Sequence, residues 1–517
     1  MGTGKSYYIT TPIYYVNDKP HLGHAYTTIA CDVLARFKRL DGYDVFFLTG
    51  TDEHGQKVAE AAAKAGIDPQ KFTDQVSQNF RDLMPILNFS NNDFIRTTEA
   101  RHKKASQAIW ERMTAAGDIY KDKYGGWYAV RDEAYYGEDE LKTVNGKKIA
   151  PSGAECEWVE EESYFFRLSK WGDKLLDFYA KHPDFILPES RRNEVISFVK
   201  GGLKDLSVSR SRLKWGVPVP GDDKHVMYVW VDALTNYLTA IGYPDENSAS
   251  FKKYWPADLH MVGKDILRFH AVYWPAFLMS AGIAPPKRIF AHGWWTIEGQ
   301  KMSKSLGNVI APADLIARYG VDQSRYFLLR EVPFGNDGDF SHERAVHMIN
   351  NDLANGLGNL AQRTLSMIQK NCDGKVPNTG APEAPDKELL DSARGLIGKL
   401  RKELDVQNFS GGIEEIHRVV MAANAYIDHQ APWKLKKENP ARMETVLYTL
   451  AETIRCLGIV VLPFMPASAE KILDQVAAPA NHRDFSVLDA AHALKSGTLL
   501  PAPQGVFPRI VDEKAAE

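Results

Sequence analysis

Two short stretches carry residues suited to phosphate chemistry. "PHLGH", Pro20 to His24, puts His21 and His24 one helical turn apart with Gly23 between them. Imidazoles so spaced share a face and can donate to phosphate oxygens, and Gly23 lets a phosphate or a flat ring approach the backbone. "EGQKMSKSLGN", Glu298 to Asn308, sets Lys301 and Lys304 between Gly299 and Gly307. Read alone, the first is a capping histidine beside a turn and the second a solvated charge run. Read together, they supply donors and cations for a ligand with several negative charges, on a loop that glycines allow to close. Such groups act by positioning and by stabilising charge around a phosphate.

The surrounding elements must position these groups. "SYYITTPIYY" (Ser6 to Tyr15) is β-branched and aromatic and reads as a strand. The segment after His21 repeats apolar residues at helical spacing (Ala30, Val33, Leu34, Phe37) and stops at Asp41-Gly42. "YDVFFLTGTDEHG" is an apolar strand that runs into a polar loop. This strand–helix–strand unit starts a buried parallel sheet, and "PHLGH" falls at the strand-to-helix crevice where such sheets bind ligands and where helix N–H groups favour phosphate. A helix ending at Gly66 follows, then one capped by Asp68 with Pro69 in its first turn. Segment 117–226 changes character, with short strand-like runs and a hairpin turn at Asn145-Gly146. Strand–helix patterning returns near His225 to Leu234, and "RIFAHGWWTI" reads as a strand leading into the lysine loop. From about Glu343 the chain carries repeated 3.6-residue apolar stripes, the pattern of a helical bundle. The expected divisions are 1–116 and 227–290 as two halves of a catalytic domain, 117–226 as an insert, 291–345 as a linking segment and 346–517 as the bundle with its tail.

Bulk properties set limits. A chain of 517 residues holds about two to four domains. With a net charge of −3, a nucleic-acid partner must be held by a local patch. Cys31, Cys156, Cys372 and Cys456 stand singly; without a CxxC pair neither a thiolate zinc site nor a disulfide framework is expected. No signal peptide and no run of about 18 apolar residues is found, so the expectation is a cytoplasmic protein without a membrane span. "GTGKS" (Gly2 to Ser6) ends like a P-loop but lacks the preceding strand and first glycine.

The pair "HLGH" and "KMSKS" is the signature pair of the class I aminoacyl-tRNA synthetases. "TTPIYYVNDKPHLGHAYT", "LTGTDEHGQK", "EESYFFRLSKW", "VSRSRLKWGVPVP", "YVWVDALTNY", "VGKDILRFHAVYWPA", "HGWW", "KMSKSLGN" and "NAYIDHQAPW" resemble blocks of the methionyl-tRNA synthetase family over nearly the whole chain. The resemblance implies an α/β Rossmann-type catalytic domain with an inserted β-rich connective module, followed by an all-α helical anticodon domain. It implies ATP-dependent ligation of L-methionine to tRNA(Met) through methionyl-adenylate, with Mg²⁺ accompanying ATP. His21, His24, Lys301, Lys304 and Arg210 would be catalytic; His21, Gly23, His24, His292, Gly293 and Lys304 would bind ATP. Ile13, Tyr15, Trp230, Ala233, Leu234, Tyr237, Ile266 and His270 would surround the methionine side chain, and Asp52 its ammonium. Methionine offers only a weak sulfur acceptor, so shape and aromatic contact must select it. Asn359, Arg363, Pro432 and Trp433 would face the anticodon, where unpaired bases stack on aromatic rings; a buried helix-start anchor is the plainer account of Trp433.

The sequence departs from the family pattern in two ways. Many members hold zinc with cysteines in the insert, where this chain has only Cys156; no zinc is expected, with packing in its place. The C-terminal tRNA-binding barrel of some members is not expected either, and a monomer follows. Synthetases for leucine, isoleucine or valine carry a larger editing insert, and the cysteine enzyme needs a zinc-thiolate reader. A non-catalytic, synthetase-like RNA-binding protein is the remaining alternative, and the intact His21, His24, Lys301 and Lys304 argue against it.

Overall fold

The computed structural model describes residues 4–17, 19–132, 134–302 and 307–511, with Tyr124, Glu161 and Lys301 described in their backbone alone. Its centre is a seven-stranded parallel sheet. In spatial order the strands are Ile186–Leu187, Ile289–His292, Leu259–Gly263, Ser6–Thr10 and Asp44–Asp52, with Tyr14–Tyr15 and Asp93–Arg96 both paired to the last. The strand centres are buried on both faces, Ile9, Phe47 and Met261 in one core and Tyr8, Leu48 and Val262 in the other. The Ser6–Tyr15 run is two strands rather than one. Pro12 has no N–H for the ladder, and pairing resumes at Tyr14↔Thr51. The Leu22–Leu40 helix buries Ala30, Val33, Leu34 and Phe37 as its periodicity predicts, and Gly42 turns the chain at φ 84°.

The insert is built on a long antiparallel pair, Ile119–Ala129 with Glu155–Phe166. The hairpin between Lys142–Val144 and Lys147–Ile149 turns at Asn145 (φ 50°) and Gly146 (φ 78°), both left-handed as this turn requires. Ala129, Ala150, Ala154 and Cys156 form a small core at its tip. Segment 117–226 is not β-rich throughout. It also holds helices Gly172–Lys181 and Glu189–Lys200, and its Ile186–Leu187 pairs with Ile289–Phe290 in the central sheet.

Two readings of apolar runs change. His225 to Leu234 divides into the end of an antiparallel strand, Asp222–Met227, and a short helix, Val229–Leu234; so short an apolar run suits either state. "RIFAHGWWTI" breaks at Gly293. Ile289–His292 stays in the parallel sheet, while Trp295–Ile297 pairs with Gln300–Lys301 and Gly338–Phe340. A Cβ on Gly293 would lie 2.2 Å from the Asn336 carbonyl oxygen, so the close backbone crossing fixes both the glycine and the break.

The C-terminal helices, chiefly Asn359–Asn371, Ala384–Asp405, Phe409–Gln430 and Pro440–Val461, pack around a core continuous with that of the Leu22–Leu40 helix. The fully buried Arg325 joins the two halves. It donates to Asp32 Oδ2 (2.7 Å) on that helix, and to the carbonyls of Pro463 (3.0 Å) and Phe464 (2.9 Å) beyond the last of these four helices. Among the described residues, no helix is long and apolar enough to cross a membrane.

Candidate active site

A cleft of about 690 Å³ opens at the C-terminal ends of the central strands, the position expected for a ligand in an open α/β sheet. Ile13, Tyr15, His21, Gly23, His24, Asp52, Trp230, Ala233, Leu234, Tyr237, Ile266, His270 and His292 all line it.

At one end, His21 is the N-cap of the Leu22–Leu40 helix. Its Nδ1 accepts the Gly23 N–H (3.1 Å), and His24 Nδ1 accepts the His21 N–H (3.1 Å). The two rings stack with centroids 3.9 Å apart. A Cβ on Gly23 would press on the His21 ring at 3.1 Å, so this glycine makes room for the capping ring. Of the two expected kinds of phosphate donor, imidazole and helix N–H, the first two helix N–H groups are already taken. The Gly23 N–H is committed to His21, and the Leu22 N–H donates to the Ile310 carbonyl (3.0 Å). With Nδ1 accepting on both rings, the neutral imidazoles carry their proton on Nε2, which becomes the available donor. Burial holds His21 below the ordinary histidine pKa; burial, then the neighbouring His21, holds His24 well below it. Both rings are neutral at pH 7.

The lysine loop is fixed at both feet. Before it, the Gly299 N–H and the Thr296 hydroxyl both donate to Asp339 Oδ1 at 2.7 Å. Beyond it, Ile310 caps the histidine helix. Lys304 lies outside the described residues, and Lys301 is placed through its backbone, in the Gln300–Lys301 strand.

At the other end the cleft is apolar and aromatic. Trp230 stacks on Phe269 with centroids 3.8 Å apart and planes 6° from parallel. His270 sits in a π-helical turn, Phe269–Tyr273, a distortion common at functional sites. Its Nδ1 lies 2.9 Å from the Ile266 carbonyl and its Nε2 2.7 Å from the Tyr237 hydroxyl. A carbonyl only accepts, so Nδ1 carries the proton and Nε2 receives the Tyr237 O–H. Burial lowers His270 to about 4 and raises the Tyr237 phenol. The pair is neutral and hydrogen-bonded. It offers no charge to an incoming side chain, and suits one that is apolar with a weak acceptor.

Three predicted residues are placed differently. Arg210 does not line the cleft; its guanidinium faces the rings of Tyr228 (4.6 Å), Tyr135 (5.0 Å) and Tyr128 (5.4 Å) and donates to the Ser209 carbonyl (2.7 Å). It thus packs the insert against the strand leading into the Val229–Leu234 helix. Gly293 is beside the cleft but is required by the Asn336 backbone. His292 lines the cleft, yet its Nδ1 is 2.8 Å from the Gly293 carbonyl and its Nε2 2.8 Å from the Thr27 hydroxyl. Other lining residues escaped the sequence reading: Arg131, Asp132, Tyr136 and Ser152 at the insert tip, and Lys264, Asp265 and Trp294 near His292. Lys264 Nζ lies 4.4 Å from the Trp294 ring centre and pairs with Asp337 at 2.6 Å.

In the helical half, Trp433 is 45% exposed, directly after the buried Pro432, so it is not a core anchor. Arg363 lies 5.8 Å from its ring centre and pairs with Asp428 at 2.7 Å. Asn359 is exposed at the start of the same helix as Arg363.

A parallel sheet with stacked histidines at its crevice, a segment just beyond the lysine loop bonded through Ile310 to the histidine helix, and an all-helical second half together define a class I aminoacyl-tRNA synthetase. Residues 7–365 match the family described as tRNA synthetases class I (M), and residues 376–517 match the anticodon binding domain of methionyl tRNA ligase. The chain belongs to the methionyl-tRNA synthetase family. It is 59% identical over 509 residues to the methionine–tRNA ligase of Brucella suis biovar 1, with 98% of each chain covered, and 58% identical over 510 residues to that of Rhizobium meliloti, covering 98% of this chain and 99% of the relative. Among solved structures, Mycobacterium tuberculosis methionyl-tRNA synthetase in complex with methionyl-adenylate is similar at a TM-score of 0.96 and 55% identity, over 98% of this chain and all of that one. The free form of that enzyme gives 0.89 and 51% identity, over 98% and 99%.

Proposed function

We propose that the chain joins L-methionine to tRNA(Met) by way of methionyl-adenylate, releasing pyrophosphate and then AMP. The observation that carries this reading is the two-ended cleft, with stacked Nε2–H donors at one end and a neutral aromatic pocket at the other. Methionine lies with its side chain among Ile13, Trp230, Ala233, Leu234, Tyr237, Ile266 and His270, beside Tyr15, and its ammonium at Asp52, a charge-assisted contact. The carboxylate then points along the cleft toward the histidines. It attacks the α-phosphate of ATP directly, and the Nε2–H groups of His21 and His24 meet charge that grows on the phosphate oxygens. Lys301 and Lys304 neutralise the leaving pyrophosphate, and His292 and Gly293 flank the adenosine. Arg210 acts through the insert it anchors. Among the described residues no group of three or more His, Cys, Asp or Glu is placed to hold a metal; Mg²⁺ enters as the companion of ATP, and no step is assigned to it. Trp433, Asn359, Arg363 and Pro432 receive the anticodon. In this reading the enzyme acts as a monomer in the cytoplasm.

Amino-acid-dependent ATP–pyrophosphate exchange over the full amino-acid panel tests the proposal. Exchange with methionine is expected. Exchange with leucine, isoleucine or valine in its place refutes the substrate, and exchange with none refutes the enzyme.

A further inference from the structure

The Val229–Leu234 helix turns Trp230, Ala233 and Leu234 to the cleft, while Asp232 is absent from the cleft wall and almost fully buried. Its carboxylate takes one contact on each oxygen. His54 Nδ1 lies 2.6 Å from Oδ2, and His102 Nε2 lies 2.7 Å from Oδ1. Both histidines are buried as well. His54 follows Asp52 by two residues, on the segment that ends the Asp44–Asp52 strand. His102 continues the chain of contacts, with its Nδ1 3.1 Å from the hydroxyl of Thr239, which closes the short helix carrying Tyr237.

The neighbours of Asp52 are all tied inward. Arg96 grips Glu53 with two bonds (2.6 and 2.9 Å), Thr51 donates to Glu53 (2.7 Å), and Trp215 donates to the Glu53 carbonyl (2.6 Å). Thr51, Glu53 and His54 stay off the cleft wall, which Asp52 alone of the four reaches. Burial opposes charge on Asp232, but the adjoining His54 and His102 outweigh it and lower its pKa to about 2. The carboxylate is therefore an anion, with two acceptor directions in one rigid plane.

We infer that Asp232 is a positioning residue for methionine. Its bridge between His54 and His102 sets the distance from Asp52, which takes the ammonium, to the Trp230–Leu234 and Tyr237 walls, which take the side chain. The inference rests on the reading that the aromatic end of the cleft holds methionine. A bridge serving stability alone would lower the melting temperature and leave the Michaelis constants of the folded enzyme unchanged. A positioning bridge raises the methionine constant selectively, because the nucleotide end of the cleft hangs on the Leu22–Leu40 helix and shares none of these contacts.

The test is pyrophosphate exchange by the full chain carrying Asp232→Asn. The amide keeps the volume but has one acceptor and adds a donor against one histidine. The methionine KM is expected to rise by about tenfold or more, with the ATP KM within about twofold of the parent. An unchanged methionine KM, or equal rises in both constants, overturns the inference. A second pair of variants covers a failure of Asp232→Asn to fold: His102→Gln keeps an N–H for Asp232 and should preserve much of the methionine affinity that His102→Ala loses, while equal losses overturn the inference. Trp230→Ala separates the two readings. If it raises the methionine KM while Asp232→Asn does not, positioning by Asp232 fails alone; if neither raises it, the pocket itself is misassigned.

Discussion

In the proposed reaction His21 has two roles that substitution can separate. Its Nδ1 caps the Leu22–Leu40 helix through the Gly23 N–H, and its Nε2–H is free to face phosphate. Asparagine is a good N-cap and can accept the same N–H, but its short amide does not reach where Nε2 projects. His21→Asn should therefore fold with the parent's stability. Its exchange kcat should fall by roughly 10²- to 10³-fold, the loss typical for one transition-state donor, or about 3–4 kcal/mol. His21→Ala should show the same kinetic loss with an added destabilisation of about 1 kcal/mol from the missing cap. Both variants would be followed by exchange at saturating methionine and ATP, and by thermal melting. If His21→Asn keeps near-parental exchange while His21→Ala melts early, the ring is a cap only and the donor argument is wrong.

Two further expectations concern stability and tRNA. Burial lowers the pKa of His21, His24, His260, His270 and His292, so the unfolded chain binds more protons than the folded one below about pH 6.5, and stability falls as pH drops through that value. The interval from about 6.5 to about 4 at His270 is alone worth roughly 3 kcal/mol; urea unfolding that is flat between pH 7 and pH 5 would contradict this. Trp433→Ala removes an exposed ring, so exchange and melting should hold while kcat/KM for tRNA charging falls by roughly 5- to 150-fold, the worth of one stacked base at about 1–3 kcal/mol; a loss of exchange as well would make the ring structural.

Much of this site is legible in the sequence because its parts are local. "PHLGH" identifies itself by a helix start, and the lysine loop by its glycines and charges. The pocket residues lie in three short blocks, and Ile13, Tyr15, Trp230, Tyr237, Ile266 and His270 all reach the cleft. What stays hidden is non-local. That the Leu22 N–H is already occupied depends on Ile310, which is close to Leu22 only after folding. The inward turn of Arg210 depends on Tyr128 and Tyr135 of the insert, and the break at Gly293 on the backbone of Asn336. The closure of the cleft by Arg131, Asp132, Tyr136 and Ser152 depends on where a hairpin tip comes to rest, and no periodicity encodes that.

The buried Arg325 bears on how freely the two halves of such an enzyme can be exchanged in evolution. Its charge is satisfied jointly, by a carboxylate on the helix that His21 caps and by carbonyls just beyond a helix in the anticodon half. A catalytic half expressed alone would leave this guanidinium with Asp32 and the Leu87 carbonyl (3.3 Å) but without the Pro463 and Phe464 carbonyls. A foreign anticodon domain would have to offer two carbonyls at the same spot before it recognised any tRNA. The junction thus favours partners that already present carbonyls at this turn.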